Sequence, residues 1–136
     1  MPRDFAQKLL GHNKPLVSAL YFNKRFPFTP QMYRESEWAG KYWPLLDWPE
    51  GALVEADVCG FGAVWTSFEV IDAIQGNVSP FEWFKFTWPH GEDFYFCELA
   101  RAKGYKVLVD TSVQCLHVGY SQFSKGKVEP LETLAA

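Results

Sequence analysis

The sequence predicts an α/β domain, because segments of strand length alternate with segments of helical periodicity along the chain. Three stretches carry that expectation. After Pro15, residues 16–22 form a mostly apolar run of strand length. Residues 53–59 alternate as a half-buried strand does. Residues 92–103 place Phe94, Cys97 and Arg101, and also Phe96 and Ala100, at helical spacings. Gly104 stands where a C-terminal glycine cap belongs, and 105–109 reads as the strand that follows.

Taken in order, residues 3–10 read as a short helix, with Pro2 in its first turn and Gly11 ending it in the left-handed conformation. Residues 23–52 hold Pro27, Pro30, Pro44, Pro49, Gly40 and Gly51, which predicts a long irregular segment. It also carries Trp38, Tyr42, Trp43 and Trp48, so an ordered loop lying against something is expected. Gly60 and Gly62 follow the second strand and would allow close backbone approach or positive φ beside a cleft. Thr66 and Glu69 match a capping box for a helix through Val70, Ile71 and Ile74, which Gly76 can stop. A second loop, 77–91, contains Pro80, Trp83, Trp88 and Pro89. Glu98 and Lys103 are expected on the solvent side of the next helix, Asp110-Thr111-Ser112 in a turn, and 113–117 in a last strand. Residues 121–136 receive no assignment.

At 136 residues the chain is expected to form one domain, burying about 68–70% of its unfolded surface. A net charge of −3 argues against a nucleic-acid partner, which would want a basic face. No run approaches the roughly 20 apolar residues of a membrane span, and no signal-type leader opens the sequence. Cys59, Cys97 and Cys115 are widely spaced and odd in number, so they read as buried thiols in a reducing, cytoplasmic setting. Aromatic residues reach 18%; such rings stack on sugar faces but also fill cores.

The sharpest chemical constellation is Glu92-Asp93 at a helix start, with His117 at the end of the strands beyond it. Ligands of open α/β sheets sit outside strand ends, where helix N-termini also point, so both side chains could face one cleft. The alternative is structural, since a helix N-terminus stabilises a nearby carboxylate by roughly 0.3–1 kcal/mol. His90 precedes the pair in a loop and is expected to be exposed. There is no nucleophile elbow, no P-loop and no His-Glu-x-x-His helix.

Several segments in fixed order resemble GT-A-fold nucleotide-sugar glycosyltransferases, family-2-like, the large inverting family that includes bacterial and phage polysaccharide enzymes. They are Cys59-Gly60-Phe61-Gly62-Ala63-Val64, Pro80-Phe81-Glu82, Gly91-Glu92-Asp93-Phe94-Tyr95-Phe96-Cys97, Gly104-Tyr105-Lys106-Val107 and His117-Val118-Gly119. Pro2-Arg3-Asp4-Phe5, Leu9-Leu10 and 17–22 resemble the segment just after that family's Asp-x-Asp metal motif. The resemblance covers about residues 2–120, leaving 121–136 as a tail. It implies a mixed sheet with flanking helices, transfer with inversion, and Asp93, beside Glu92, as general base on the acceptor hydroxyl. It implies that His117 binds the divalent metal or the diphosphate, and that Gly60 and Gly62 line the acceptor side. Trp43 and Trp48 become candidates for stacking on an acceptor sugar.

No Asp-x-Asp occurs in the chain. The resemblance therefore implies a truncated domain lacking the N-terminal nucleotide-binding βαβ half. The complete parent would use Mn or Mg, a nucleotide-sugar, and a glycan or other hydroxyl acceptor. This chain alone is expected to bind no metal and to be inactive. Surface left uncovered by a missing half is expected to favour a homo-oligomer. A non-catalytic glycan-binding or interaction module is the other reading. A metal-dependent hydrolase built on Asp93 and His117 lacks ligands in the sequence.

Overall fold

A strand buried along its whole length needs cover on both faces, and the five residues after Pro15 are all buried. The structure is a computed structural model that describes residues 1–37, 41–75, 82–87, 89–118, 121–124 and 127–130. In chain order the elements are α1 (Phe5–Gly11), β1 (Leu16–Leu20), β2 (Met32–Glu35), β3 (Tyr42–Pro44), β4 (Leu53–Ala56), β5 (Val58–Cys59) and β6 (Val64–Thr66). There follow α2 (Phe68–Gln75), α3 (Glu92–Ala102), β7 (Val107–Gln114), β8 (His117–Val118), β9 (Ser121–Ser124) and β10 (Lys127–Pro130).

The α/β expectation holds: a four-stranded mixed sheet, ordered β4-β7-β1-β6, forms the centre. β1 and β7 run parallel, while β4 and β6 pair antiparallel on the outside. Side chains alternate along each strand, so the sheet has two apolar faces. Leu16, Leu20, Val107 and Val109 face α2 and α3 through Val70, Ile74, Phe96, Cys97 and Ala100. Val17, Ala19 and Leu108 face the other way, where Leu9 of α1 covers them.

The proline-rich stretch is not wholly irregular. β2 and β3 pair with each other, and β5 joins β2 to make a second, three-stranded antiparallel sheet. Each of these strands spans four residues or fewer, too short for alternation to show in sequence. The run 53–59 is therefore two strands in two sheets, and the chain changes sheets at Asp57. That aspartate anchors the change. The Glu35 N–H donates to its Oδ2 at 2.7 Å, and Arg101 of α3 lies 3.3 Å from its Oδ1.

Other local readings are corrected by tertiary context. Gly11 stays helical, His12 follows in the right-handed region, and Asn13 at φ 50 makes the left-handed step. Thr66 belongs to β6, paired with Leu16, so it cannot cap α2; its Oγ1 finds no partner among the described residues. Glu69 instead accepts a 3.0 Å hydrogen bond from the Tyr105 hydroxyl. Residues 110–112 are no turn, because β7 runs through them with a register shift opposite Ala19 and Leu20. The Ser112 N–H and hydroxyl both bond Asp110 Oδ1, the local pattern of a turn embedded in a longer strand. Glu98 is half-buried and accepts the Tyr42 hydroxyl at 2.6 Å. Gly104, at φ +87, ends α3 as predicted. β8, β9 and β10 form a third small sheet, so part of the stretch beyond residue 120 is stranded. Gly76, Trp38, Pro80, Phe81, Trp88 and Gly119 lie outside the described residues.

Candidate active site at the carboxyl end of the parallel strands

β1 and β7 end side by side, with Leu20 opposite Gln114, and Tyr21 is the first residue past β1. The backbone then laces three segments together. The Gln31 N–H donates to the Tyr21 carbonyl at 2.9 Å, and the Gly60 N–H donates to the Gln31 carbonyl at 3.0 Å. The Gly62 N–H donates to the Tyr21 hydroxyl oxygen at 3.1 Å. This packing explains both glycines. A Cβ at Gly62 would lie 2.8 Å from Tyr21 Cζ, and one at Gly60 would overlap the Tyr21 hydroxyl. Close approach is thus their role, and neither has positive φ.

Asp93 sits in the first turn of α3 beside Glu92. Its Oδ1 accepts the Phe94 N–H at 2.8 Å. Burial pushes the Asp93 carboxyl above its usual pKa; backbone N–H donors from Phe94, Asp93 itself and Phe61 resist, and the Glu92 charge adds to the rise. The Asp93 charge also reaches two phenols. Burial raises Tyr21 and Tyr33, the Gly62 and Gln31 hydrogen bonds oppose it, and Asp93 adds to both shifts. Both phenols therefore stay neutral hydrogen-bonding groups.

His117 opens β8 with its ring edge-on to Tyr21, centroids 5.8 Å apart. Its Nδ1 lies 2.9 Å from the Phe22 carbonyl. A carbonyl only accepts, so Nδ1 carries the proton and Nε2 of the neutral ring is left with a lone pair. Gly60, Gly62 and His117 thus all border Tyr21, and the Asp93 charge is felt at its hydroxyl. Sequence reasoning missed Tyr21, although a residue with a polar tip directly after an apolar strand is the available signal.

Trp43 and Trp48 lie apart from this cluster. With Phe22, Phe28, Pro30 and Leu46 they help line an apolar groove of about 440 Å³. Trp48 tilts against Phe22 at 6.1 Å, so the groove begins one residue beyond Tyr21. His90 is not exposed as expected: it stacks on Phe94 at 5.4 Å and meets Tyr42 edge-on at 5.1 Å. Among the described residues, no three His, Cys, Asp or Glu side chains converge to hold a metal ion. No helix among them is long and apolar enough to cross a membrane.

No protein-family model matches the sequence, and no curated protein matches it. A solved structure does share the architecture. The chain is similar in fold to A197 from STIV. The superposition has a TM-score of 0.61 at 19% identity and covers 100% of this chain and 62% of that one. The chain therefore spans less than two thirds of A197, and the likeness is one of fold.

Proposed function

We infer that the chain is the acceptor-side part of an inverting nucleotide-sugar glycosyltransferase, with Asp93 as the general base. The observation that carries this reading is a desolvated carboxylate at a helix start, reached by the backbone N–H of Phe61, whose flanking glycines pack on Tyr21 where the two parallel strands end. A base held with a raised pKa matches the demand of removing a hydroxyl proton near neutrality. As the acceptor oxygen attacks the donor carbon, its proton passes to Asp93, and the leaving diphosphate departs from the opposite side. Such a base contributes about 10²–10⁴ in rate.

A divalent metal, when bound, stabilises charge on the departing diphosphate. His117 Nε2 fits the role of one ligand, because its Nδ1 is already engaged by the Phe22 carbonyl. The described residues offer no carboxylate set beside it, so the remaining ligands would come from beyond them. The 136 residues by themselves are then expected to be inactive.

The groove carrying Trp43 and Trp48 favours a second reading, a glycan-binding module without catalysis. Calorimetry on the whole gene product separates the two. Binding of a UDP- or GDP-sugar only with Mn²⁺, followed by transfer with inverted anomeric configuration, supports the transferase. Binding of free oligosaccharides with no response to nucleotide or metal, abolished by Trp48→Ala, supports the module.

A further inference from the structure

The segment after β1 is a small hydrogen-bonded finger. Phe22 bridges Pro30, the Asn23 N–H donates to the Thr29 carbonyl at 2.8 Å, and the Phe28 N–H donates to the Arg25 carbonyl at 2.8 Å. At its tip Phe26 is 86% exposed, and the Phe28 ring meets it edge-on at 5.9 Å. Trp43 and Leu46, 61% and 70% exposed, continue the apolar surface along the groove that Pro27 and Phe28 help line.

Charge at the tip has one sign. Lys24 and Arg25 precede Phe26, residues 23–30 contain no acid, and neither cation pairs with another described residue. Two exposed acids, Asp47 and Glu50, follow at the far end of the groove, Asp47 between its lining residues Leu46 and Trp48, so the single sign of charge belongs to the tip.

We propose that this finger docks the protein onto an anionic phospholipid surface, with Phe26 entering the headgroup boundary and Lys24 and Arg25 meeting lipid phosphates. Aromatic rings set beside basic residues are the composition that partitions into that layer. A projecting tip is poor at matching a protein partner, which needs about 800 Å² of complementary surface per side. A bilayer needs no such match. This docking goes beyond the transferase reading and does not depend on it.

The test is co-sedimentation with phosphatidylcholine vesicles made with and without phosphatidylserine, at low and high salt. The expected result is binding to the anionic vesicles, weakened by salt. Phe26→Ser, and the double change Lys24→Gln with Arg25→Gln, should each lower it roughly tenfold. Phe68, 85% exposed on α2, is the control, and Phe68→Ser should change nothing. All four positions are solvent-exposed, so the variants should fold, and their circular dichroism should match the parent's. Equal binding to neutral vesicles, equal loss in Phe68→Ser, or unchanged binding in the finger variants would overturn the proposal. So would failure to bind anionic vesicles with a Phe26-dependent dimer in ultracentrifugation, which would assign the finger to a second copy.

Discussion

Two aspartates are withdrawn from water in this protein, and they are shifted in opposite directions. Asp110, in β7, is 3% exposed. Burial alone would raise its pKa, but hydrogen bonds from His12, whose Nε2 lies 2.5 Å from Oδ2, and from Ser112 outweigh burial and hold it below the usual value. Asp93 is only half-buried yet stands above the usual value, because burial, with the Glu92 charge beside it, outweighs the backbone N–H donors that pull the other way. The kind of donor, more than depth, separates them: side chains of His12 and Ser112 reach Asp110, whereas backbone N–H groups alone reach Asp93. A carboxylate whose hydrogen bonds outweigh its burial fastens the fold; one whose burial outweighs its hydrogen bonds takes a proton more readily.

The sharpest way to break this contrast is Asp93→Asn in the whole gene product. Transfer should fall about 10²–10⁴-fold with the thermal midpoint little changed. The parent's rate should rise with pH through a midpoint above the ordinary aspartate value of about 3.9, and the variant should lack that limb. An unchanged pH–rate profile would remove Asp93 from the chemistry.

Next in size is His12→Ala, which leaves Asp110 buried without its imidazole partner. The expected loss is about 3 kcal/mol in urea denaturation, the low end for a broken buried pair, because the His12 side chain is 30% exposed. The linked pH dependences have opposite signs. Asp110 has a lowered pKa when folded, so its stabilisation is present above the unfolded value and is lost as pH falls through the folded one. Asp93 has a raised pKa, so its contribution is full below the unfolded value and is lost as pH rises through the folded one. Denaturation curves from about pH 3 to pH 7 should therefore flatten in acid for Asp110→Asn. For Asp93→Asn they should lose a decline towards neutrality.

A smaller effect comes from Gly60→Ala, which drives a methyl into the Tyr21 hydroxyl and should cost about 1–3 kcal/mol. The smallest is Tyr21→Phe. It removes the acceptor of the Gly62 N–H and should lower stability by about 1 kcal/mol in thermal melts, with a larger relative effect on transfer.

What could be read from sequence follows the range of the forces involved. β1, α3 and the Gly104 stop depend on apolar periodicity and one backbone conformation, both local, and were legible. The 23–52 stretch was not. Its strands β2 and β3 are defined by pairing with each other and with β5, across separations that no window of residues captures. Thr66 shows the same conflict at one residue: its local pattern asks for a cap, but pairing with Leu16 claims it for a strand. At the candidate site, Asp93, His117, Gly60 and Gly62 were recognisable as residue types in order. What joins them is Tyr21, whose hydroxyl meets the glycine segment and whose ring meets His117, and that meeting exists only in three dimensions.

Asp57 carries a consequence of its own. By holding Glu35 of the small sheet and Arg101 of α3 together, it bolts the sheet that carries Trp43 to the helix whose first turn carries Asp93. Eleven residues of helix are a stiff strut of roughly 16 Å. The small sheet and the helix carrying the carboxylate are thereby braced as one unit.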